Sequence, residues 1–313
     1  MVWKDEKAAG EGRVTEQRRG VRRVNAIHLP GGGGAAVAQI CSVVEEDTLT
    51  LDVAGIGQYT LMWTPTEKID SSFGFTDVDG VLSDAGNPEA LCLAAGFALS
   101  EGIITSLDDI HTMALCADEP DVVQLELKDV ASVEVRRANV LIRSSCGVCG
   151  YRDIVDKNMY QLQSVDSSMR LSESGFGRLM ADMRAGQLVF GDTGGCHGAA
   201  LFGVDGNVRS VSEDLGRHNA LDKAIGRHLL EGHTFTDSGV LLSSRLSLEM
   251  IVKAIRAGIQ IVAAVSAPTS LAIELADRFG VTLCGFVRDE RMTVYTHPWR
   301  IAATGALPDF IEK

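Results

Sequence analysis

The sequence predicts an α/β protein, with a layered α/β domain over residues 153–313 preceded by a smaller β-rich subdomain over 37–140. Two observations predict this. In the first half, short period-two runs recur: "LTLDVAG", "QYTLMWT", "DVVQLEL", "ASVEVRR" and "NVLIRSS". Alternation with β-branched residues is the pattern of half-buried strands. In the second half, apolar strand-like runs alternate with helix-like segments: "GVLLSS", "LSLEMIVKAIRAG", "IQIVAAVS", "APTSLAIELADRFG" and "VTLCGFV". Strand, helix and strand joined by short connections predict a mostly parallel sheet.

Taken in order, residues 1–36 are polar and then glycine-rich, ending in "PGGGGAA", the composition of a flexible arm without a core face. "LCLAAGFALSEGII" has the spacing of one amphipathic helix closed by Gly102. Residues 141–152 contain "SSCGVCG", a glycine-rich stretch leaving a strand, and are expected to form an exposed mobile loop. "GAALFGVDGNVRSV" predicts a hairpin on Asp205-Gly206-Asn207, and "RHNALDKAIGRHLLEG" a helix. The next helix starts at Ser247 and stops at Gly258; the last has Thr269 or Ser270 as N-cap and Gly280 as stop.

Composition narrows the function. With 313 residues and 45% hydrophobic content the chain is long and apolar enough for a well-buried core. A net charge of −13 and a pI near 5.0 argue against nucleic acid or an anionic membrane surface as the main partner. The start, "MVWKDEKAAGEG", has no apolar h-region. The most apolar run, "GIQIVAAVSAP", falls well short of the ~20 residues that span a bilayer. Seven scattered cysteines, an odd number, suit a reducing compartment, so the expected location is the cytoplasm.

Cys146 and Cys149 form a C-x-x-C pair whose spacing fits a metal clip, a redox dithiol or a carrier nucleophile. A structural zinc site needs four ligands, and no second C-x-x-C exists, although Cys196 and His197 could complete a Cys₃His set. The H-x-E and P-C-x-x-C of zinc deaminases are missing. A thioredoxin-type pair opens a helix, whereas this one leaves a strand. Such a loop suits a thiolate that visits two partners in turn, and Arg143 and Arg152 beside it favour the thiolate.

Four further segments carry polar chemistry. "GDTGGCHGAALF" reads first as a tight turn before a strand and second as an anion cradle, with His197 a base, an anion partner or a core histidine. "SEDLGRHNALDKAIG" crowds Arg217, His218, Asn219, Asp222 and Lys223 together, with His218/Asp222 and Asn219/Lys223 at i,i+4. Ser243, Ser244, Arg245 and Ser247 lie at one strand-to-helix junction, and Ser266, Thr269 and Ser270 at another. Both junctions suit either a nucleotide diphosphate or ordinary N-capping. In "GFVRDERMTVYTHPWRI", Arg288 and Arg291 bracket an acidic pair after a strand, suiting phosphate and the planar edge of a guanine or pterin.

In this order, "SSCGVCG", "TGGCHGAALF", "EDLGRHNALDKAIG", "SSRLSLEMIVKAIRAG", "VSAPTSLAIELA" and "GFVRDERMTVYTHPWRI" resemble the FdhD-type formate dehydrogenase accessory sulfurtransferases. The likeness covers nearly all of residues 140–301; upstream, "LAAGFALSEGII" matches and "EEDTLTLDV" and "YTLMWTPT" match in part. The glycine-rich arm and an insertion near 66–90 depart from the family pattern. The resemblance implies a C-terminal three-layer α/β domain like the cytidine deaminase scaffold without its zinc ligands, and a homodimer. It implies sulfur transfer from a cysteine desulfurase to the bis(molybdopterin guanine dinucleotide) cofactor of a molybdenum- or tungsten-dependent formate dehydrogenase. It makes Cys146 the persulfide carrier, Cys149 its companion, and Phe286, Val287, Arg288, Asp289, Glu290 and Arg291 the cofactor-binding stretch. No resident metal is implied, and His197, Arg217 and His218 are secondary candidates for orienting diphosphates.

Overall fold

A computed structural model describes residues 18–67, 73–76, 80–81, 88–116, 118–130, 140–142, 162–166, 168–288 and 291–303. β1 (Val21–His28) and β2 (Val37–Val44) pair as an antiparallel ribbon. Then come β3 (Asp47–Val53), β4 (Gly57–Trp63), β5 (Phe73–Thr76), β6 (Gly80–Val81), α1 (Glu89–Glu101), β7 (Ile110–Cys116), β8 (Glu119–Leu127) and β9 (Val140–Ile142). These strands form a seven-stranded sheet in the order β6-β5-β7-β8-β3-β4-β9.

The second half begins with β10 (Leu171–Ser172), α2 (Gly175–Gly186), α3 (Leu188–Thr193), β11 (His197–Gly203), β12 (Val208–Asp214) and α4 (Arg217–Leu230). It continues with β13 (Ser238–Leu242), α5 (Leu248–Ala257), β14 (Ile261–Ala264), α6 (Ser270–Arg278), β15 (Thr282–Arg288), β16 (Arg291–Thr296) and β17 (Ile301–Ala302). A six-stranded sheet runs β12-β11-β13-β14-β15-β16, and β10 pairs with β17 separately. The expected punctuation holds. Gly102 and Gly258 close α1 and α5 in the left-handed conformation, and the Thr269 hydroxyl caps α6 by accepting from Ala272 N.

Strand alternation gives the six-stranded sheet two buried faces. Ala200, Phe202, Leu241, Ala263 and Cys284 face Phe176, Leu179 and Met183 of α2. Ala199, Leu201, Val240, Leu242 and Val262 instead join one large core with α4, α5, α6, α1 and the inner face of the other sheet, including Leu49, Leu51, Leu61 and Val123. The two halves of the chain therefore share a core. At its centre α1 and α4 touch backbone to backbone: a Cβ on Gly96 would lie 1.8 Å from Asp222 O, and one on Gly226 1.8 Å from Cys92 O.

Several expectations need correction. Residues 1–36 contain a strand, β1, because Val21–His28 finds a full antiparallel partner in β2; most of that ribbon still stands exposed, without a core face. α1 is not amphipathic but buried on all sides from Glu89 to Ser100, because a sheet covers one flank and α4 and α5 the other. The six-stranded sheet is mixed: only β13, β14 and β15 run parallel, and the hairpins β11–β12 and β15–β16 flank them. Part of the 66–90 insertion forms β5 and β6, which extend one edge of the seven-stranded sheet. The strand expected at 131–137 lies outside the described residues. Among the described residues, no helix is long and apolar enough to cross a membrane.

Candidate functional site

Sheet polarity collects the candidate residues. β13, β14 and β15 are mutually parallel, and β11 is antiparallel to both β13 and β12, so β12, β13, β14 and β15 end at one edge. That edge is where α4, α5 and α6 begin, β11 starts at His197, and β15 turns into β16. Open sheets with such crossovers gather ligands there, where several helix N-termini expose amides. The two junction loops are fastened together, with Leu246 N donating to Ala267 O and Thr269 N to Leu246 O.

His197, Arg217 and His218 come together on this edge. The Ser243 hydroxyl accepts from Gly198 N at 2.8 Å and lies 3.5 Å from His197 Nδ1. Burial holds His197 below its ordinary value, and the neighbouring Arg217 and His218 add to that depression, so its imidazole is neutral at pH 7. Among the described residues, Arg217 Nε is buried and has no hydrogen-bond partner, a cationic donor that an anionic oxygen would satisfy. His218 Nε2 lies 3.3 Å from Glu249 Oε2, and Ser247 Oγ donates to the same carboxylate. Glu249 went unnoticed in the sequence; its position in the first turn after Ser247 was the available signal.

The β15–β16 hairpin forms the other part of the edge. Phe286 takes a left-handed φ of 55° at a register irregularity and leaves its ring 49% exposed. A bulky residue rarely adopts that conformation. Phe286 N donates to Ser266 O, and Gly285 passes close to Pro268 and Tyr295, which a Cβ would meet at 3.0 and 3.1 Å. Arg288 Nη1 is committed to the carbonyls of Val265 and Val287. Phe286, Arg288, Arg291, Met292 and Thr293 line an open cavity of about 300 Å³. Val287 points into the core, so only its backbone is available to a ligand. Asp289 and Glu290 lie outside the described residues.

Other sequence candidates prove to be architecture. Gly194 closes α3 with a left-handed φ and a Cβ on Gly195 would strike Val44, so "TGG" is the tight turn rather than the cradle. On α4, His218 and Asp222 do not share a task. Asp222 is buried against Ser100 and Lys253, while His218 reaches α5. Lys223 is 1% exposed and bound to Glu89 and Asp214 at 2.9 and 2.8 Å. Burial opposes its charge, but the two carboxylates more than offset that and hold its pKa above the ordinary lysine value.

The cysteines separate into classes. Cys92, Cys196 and Cys284 are buried, and burial pushes each thiol up to about 12, which makes them poor nucleophiles at neutral pH. Cys196 packs with Val21 and Val189. Cys146, Cys149, Arg143 and Arg152 lie outside the described residues. Their segment leaves β9, which pairs in parallel with β4 through Tyr59–Val140, Thr60–Leu141 and Leu61–Ile142.

Residues 87–302 match the model of the FdhD/NarQ family. A protein of Sulfurisphaera tokodaii named sulfur carrier protein FdhD is 39% identical over 222 residues, covering 71% of this chain and 83% of that protein. A protein of the same name from Nocardia farcinica is 36% identical over 304 residues, 94% of this chain and 98% of its own. A crystal structure from Desulfotalea psychrophila, whose description names a formate dehydrogenase accessory protein, superposes with a TM-score of 0.67 at 21% identity. It covers 90% of this chain and 99% of that one, which establishes a common fold. The family match spans more than half of the chain and the Nocardia relative aligns nearly end to end: the chain belongs to the FdhD/NarQ family.

Proposed function

We propose that the protein is a sulfur carrier that takes sulfane sulfur from a cysteine desulfurase and delivers it to the bis(molybdopterin guanine dinucleotide) cofactor of a formate dehydrogenase, its acceptor substrate. The observation that carries this reading is the partition of the cysteines. Cys92, Cys196 and Cys284 are buried thiols pushed up to about 12 and Cys41 stands singly, half-buried on β2, whereas Cys146 and Cys149 form a C-x-x-C pair that follows β9 between Arg143 and Arg152. The relatives named sulfur carrier protein FdhD support it. A homodimer and a deaminase-like scaffold belong to the same proposal, as the family resemblance implies, and so does a cytoplasmic location, as the scattered cysteines suggest.

In the first step, the Cys146 thiolate attacks the terminal sulfur of the donor persulfide. The donor S–S bond breaks, the donor cysteine leaves as a thiolate, and Cys146 keeps the sulfane sulfur, with no net oxidation. In the second step, Cys149 thiolate attacks Cys146 Sγ. A Cys146–Cys149 disulfide forms, sulfide leaves toward the acceptor, and a cellular dithiol then reduces the disulfide. On the sheet edge, Arg217 Nε and the amides opening α4 suit a diphosphate, neutral His197 suits a donated hydrogen bond, and the exposed Phe286 ring beside Arg288 and Arg291 suits a planar base.

Intact mass after incubation with a cysteine desulfurase and cysteine tests the reading. Transfer gives a gain of about 32 Da that disappears in Cys146→Ala, as for a persulfide on one thiol. A loss of about 2 Da with no sulfide released marks a dithiol oxidoreductase, and an unchanged mass marks a chaperone whose cysteines are incidental.

A further inference from the structure

The β1–β2 ribbon carries an apolar surface that the rest of the chain leaves uncovered. Its root is packed, with Val21 and Val44 against Val189 of α3 and Cys196. Beyond the root, Ile27, Leu29, Val37, Ile40 and Val43 are exposed, Ile40 to 68%. They make up five of the ten large hydrophobic residues exposed among the described residues. Apolar side chains scattered singly need no explanation, but a cluster marks a docking surface. A ribbon of two strands is also marginal in water unless further strands or a helix cover it, and here the cover stops at the root.

The two strands treat their outer edges differently. β1 carries Arg22 and Arg23, both exposed, and such charges blunt an edge against pairing. β2, "VAQICSVV", has no charge and no proline, and its register with β1 runs from Val37 to Val44 without a bulge. Among the described residues β2 pairs with β1 alone, so its outer row of backbone groups meets no strand. An uncharged, regular, apolar edge of this kind is a template for one more strand.

Charge and symmetry select the occupant. At a net charge of −13, two copies of the chain repel over most of their surface. Residues 18–44 are the exception, with four arginines and no acidic residue. Pairing β2 with its own copy about a two-fold axis is antiparallel, brings only uncharged residues together and closes at two chains. Pairing β1 in the same way would set arginines against arginines. Through β2, the arginine-bearing strands instead become the two outer edges, which stops further growth.

We propose that the outer edge of β2 is a homodimer interface, at which two copies pair antiparallel into a four-stranded sheet of order β1-β2-β2-β1. The proposal rests on the homodimer reading above and names the surface that forms it; sulfur transfer does not enter.

Sedimentation velocity on the full chain, joined with amide hydrogen exchange of residues 37–44, tests it. The parent should sediment as a dimer at micromolar concentration, with the β2 amides protected. Ile40→Lys brings an ammonium into the seam from each copy and should weaken the dimer ~100-fold or more, with faster exchange in β2. Ile40 is exposed within one chain, so the variant should keep the parent far-ultraviolet circular dichroism. Val204→Lys, at an exposed apolar residue of the β11–β12 turn, is the control and should leave the dimer intact. A monomeric parent overturns the proposal and the homodimer reading together. A dimer that Ile40→Lys leaves equally tight, or one whose β2 amides exchange as fast as in the variant, overturns the β2 interface alone. Protection of β2 that arises only on adding formate dehydrogenase assigns the edge to that enzyme and overturns the proposal as well.

Discussion

Gly226→Ala tests the packing that joins the two halves of the chain. The added Cβ would lie 1.8 Å from Cys92 O, 2.7 Å from Cys92 C and 2.7 Å from Gly96 N. Ordinary contact needs about 3.5 Å, so α1 and α4 must separate by well over 1 Å. All three atoms are backbone, so no side chain can swing aside. Overpacking costs typically about 1–3 kcal/mol where neighbours yield, and the rigid surroundings here put Gly226→Ala at the top of that range. Better helix propensity returns about 1 kcal/mol, leaving a net loss of about 2 kcal/mol. At about 2–4 °C per kcal/mol for a chain of this class, the melting temperature should drop by about 4–8 °C in calorimetry. Gly191→Ala is the matched control. Nothing lies within 4 Å of its added Cβ in α3, so the same chemical change should stabilise by about 0.5–1 kcal/mol. A Gly226→Ala protein that melts at or above the parent temperature refutes the close approach of α1 and α4.

Lys253→Met leaves Asp222, buried and 2.9 Å from the lost ammonium, without its countercharge. Urea unfolding should show a loss of about 3–5 kcal/mol, partly recovered by adding Asp222→Asn. His197 and His228 are both held below the ordinary histidine value, chiefly by burial. The unfolded chain therefore binds more protons than the folded one at mildly acid pH, and the stability present above the unfolded histidine value of about 6.5 is lost as pH falls below it. Melting curves between pH 7.5 and 5.5 should show this decline, and His228→Gln should flatten part of it. Cys92, Cys196 and Cys284 should resist iodoacetamide in the folded protein and react once it is denatured, as peptide mapping will show; native labelling of Cys284 would contradict its burial.

The local grammar was legible wherever the cause is local. Gly102 and Gly258 stop their helices because left-handed closure is cheapest for glycine, Thr269 caps α6 with its own hydroxyl, and Asp205-Gly206-Asn207 turns β11 into β12. The candidate edge was partly legible too. Serine-rich junctions after β13 and β14 were recognisable as strand-to-helix turns, and the polar opening of α4 stood out from its apolar surroundings.

Tertiary structure alone decided the rest. Asp222 and His218 sit at helical spacing, yet one is buried against α1 and the other meets α5, because the direction each faces depends on what packs against α4. Lys223 reads as one of a crowd of polar groups until Glu89, remote in sequence, and Asp214, across the β12–α4 turn, enclose it. By itself the sequence determined the elements, the cysteine motif and the family pattern, all of which depend on residues within a few positions of one another. Only the fold assigned each polar side chain to a ligand edge or to a buried pair, because burial and charge pairing are set by neighbours that other elements bring, such as Ser100 beside Asp222 and Glu89 beside Lys223.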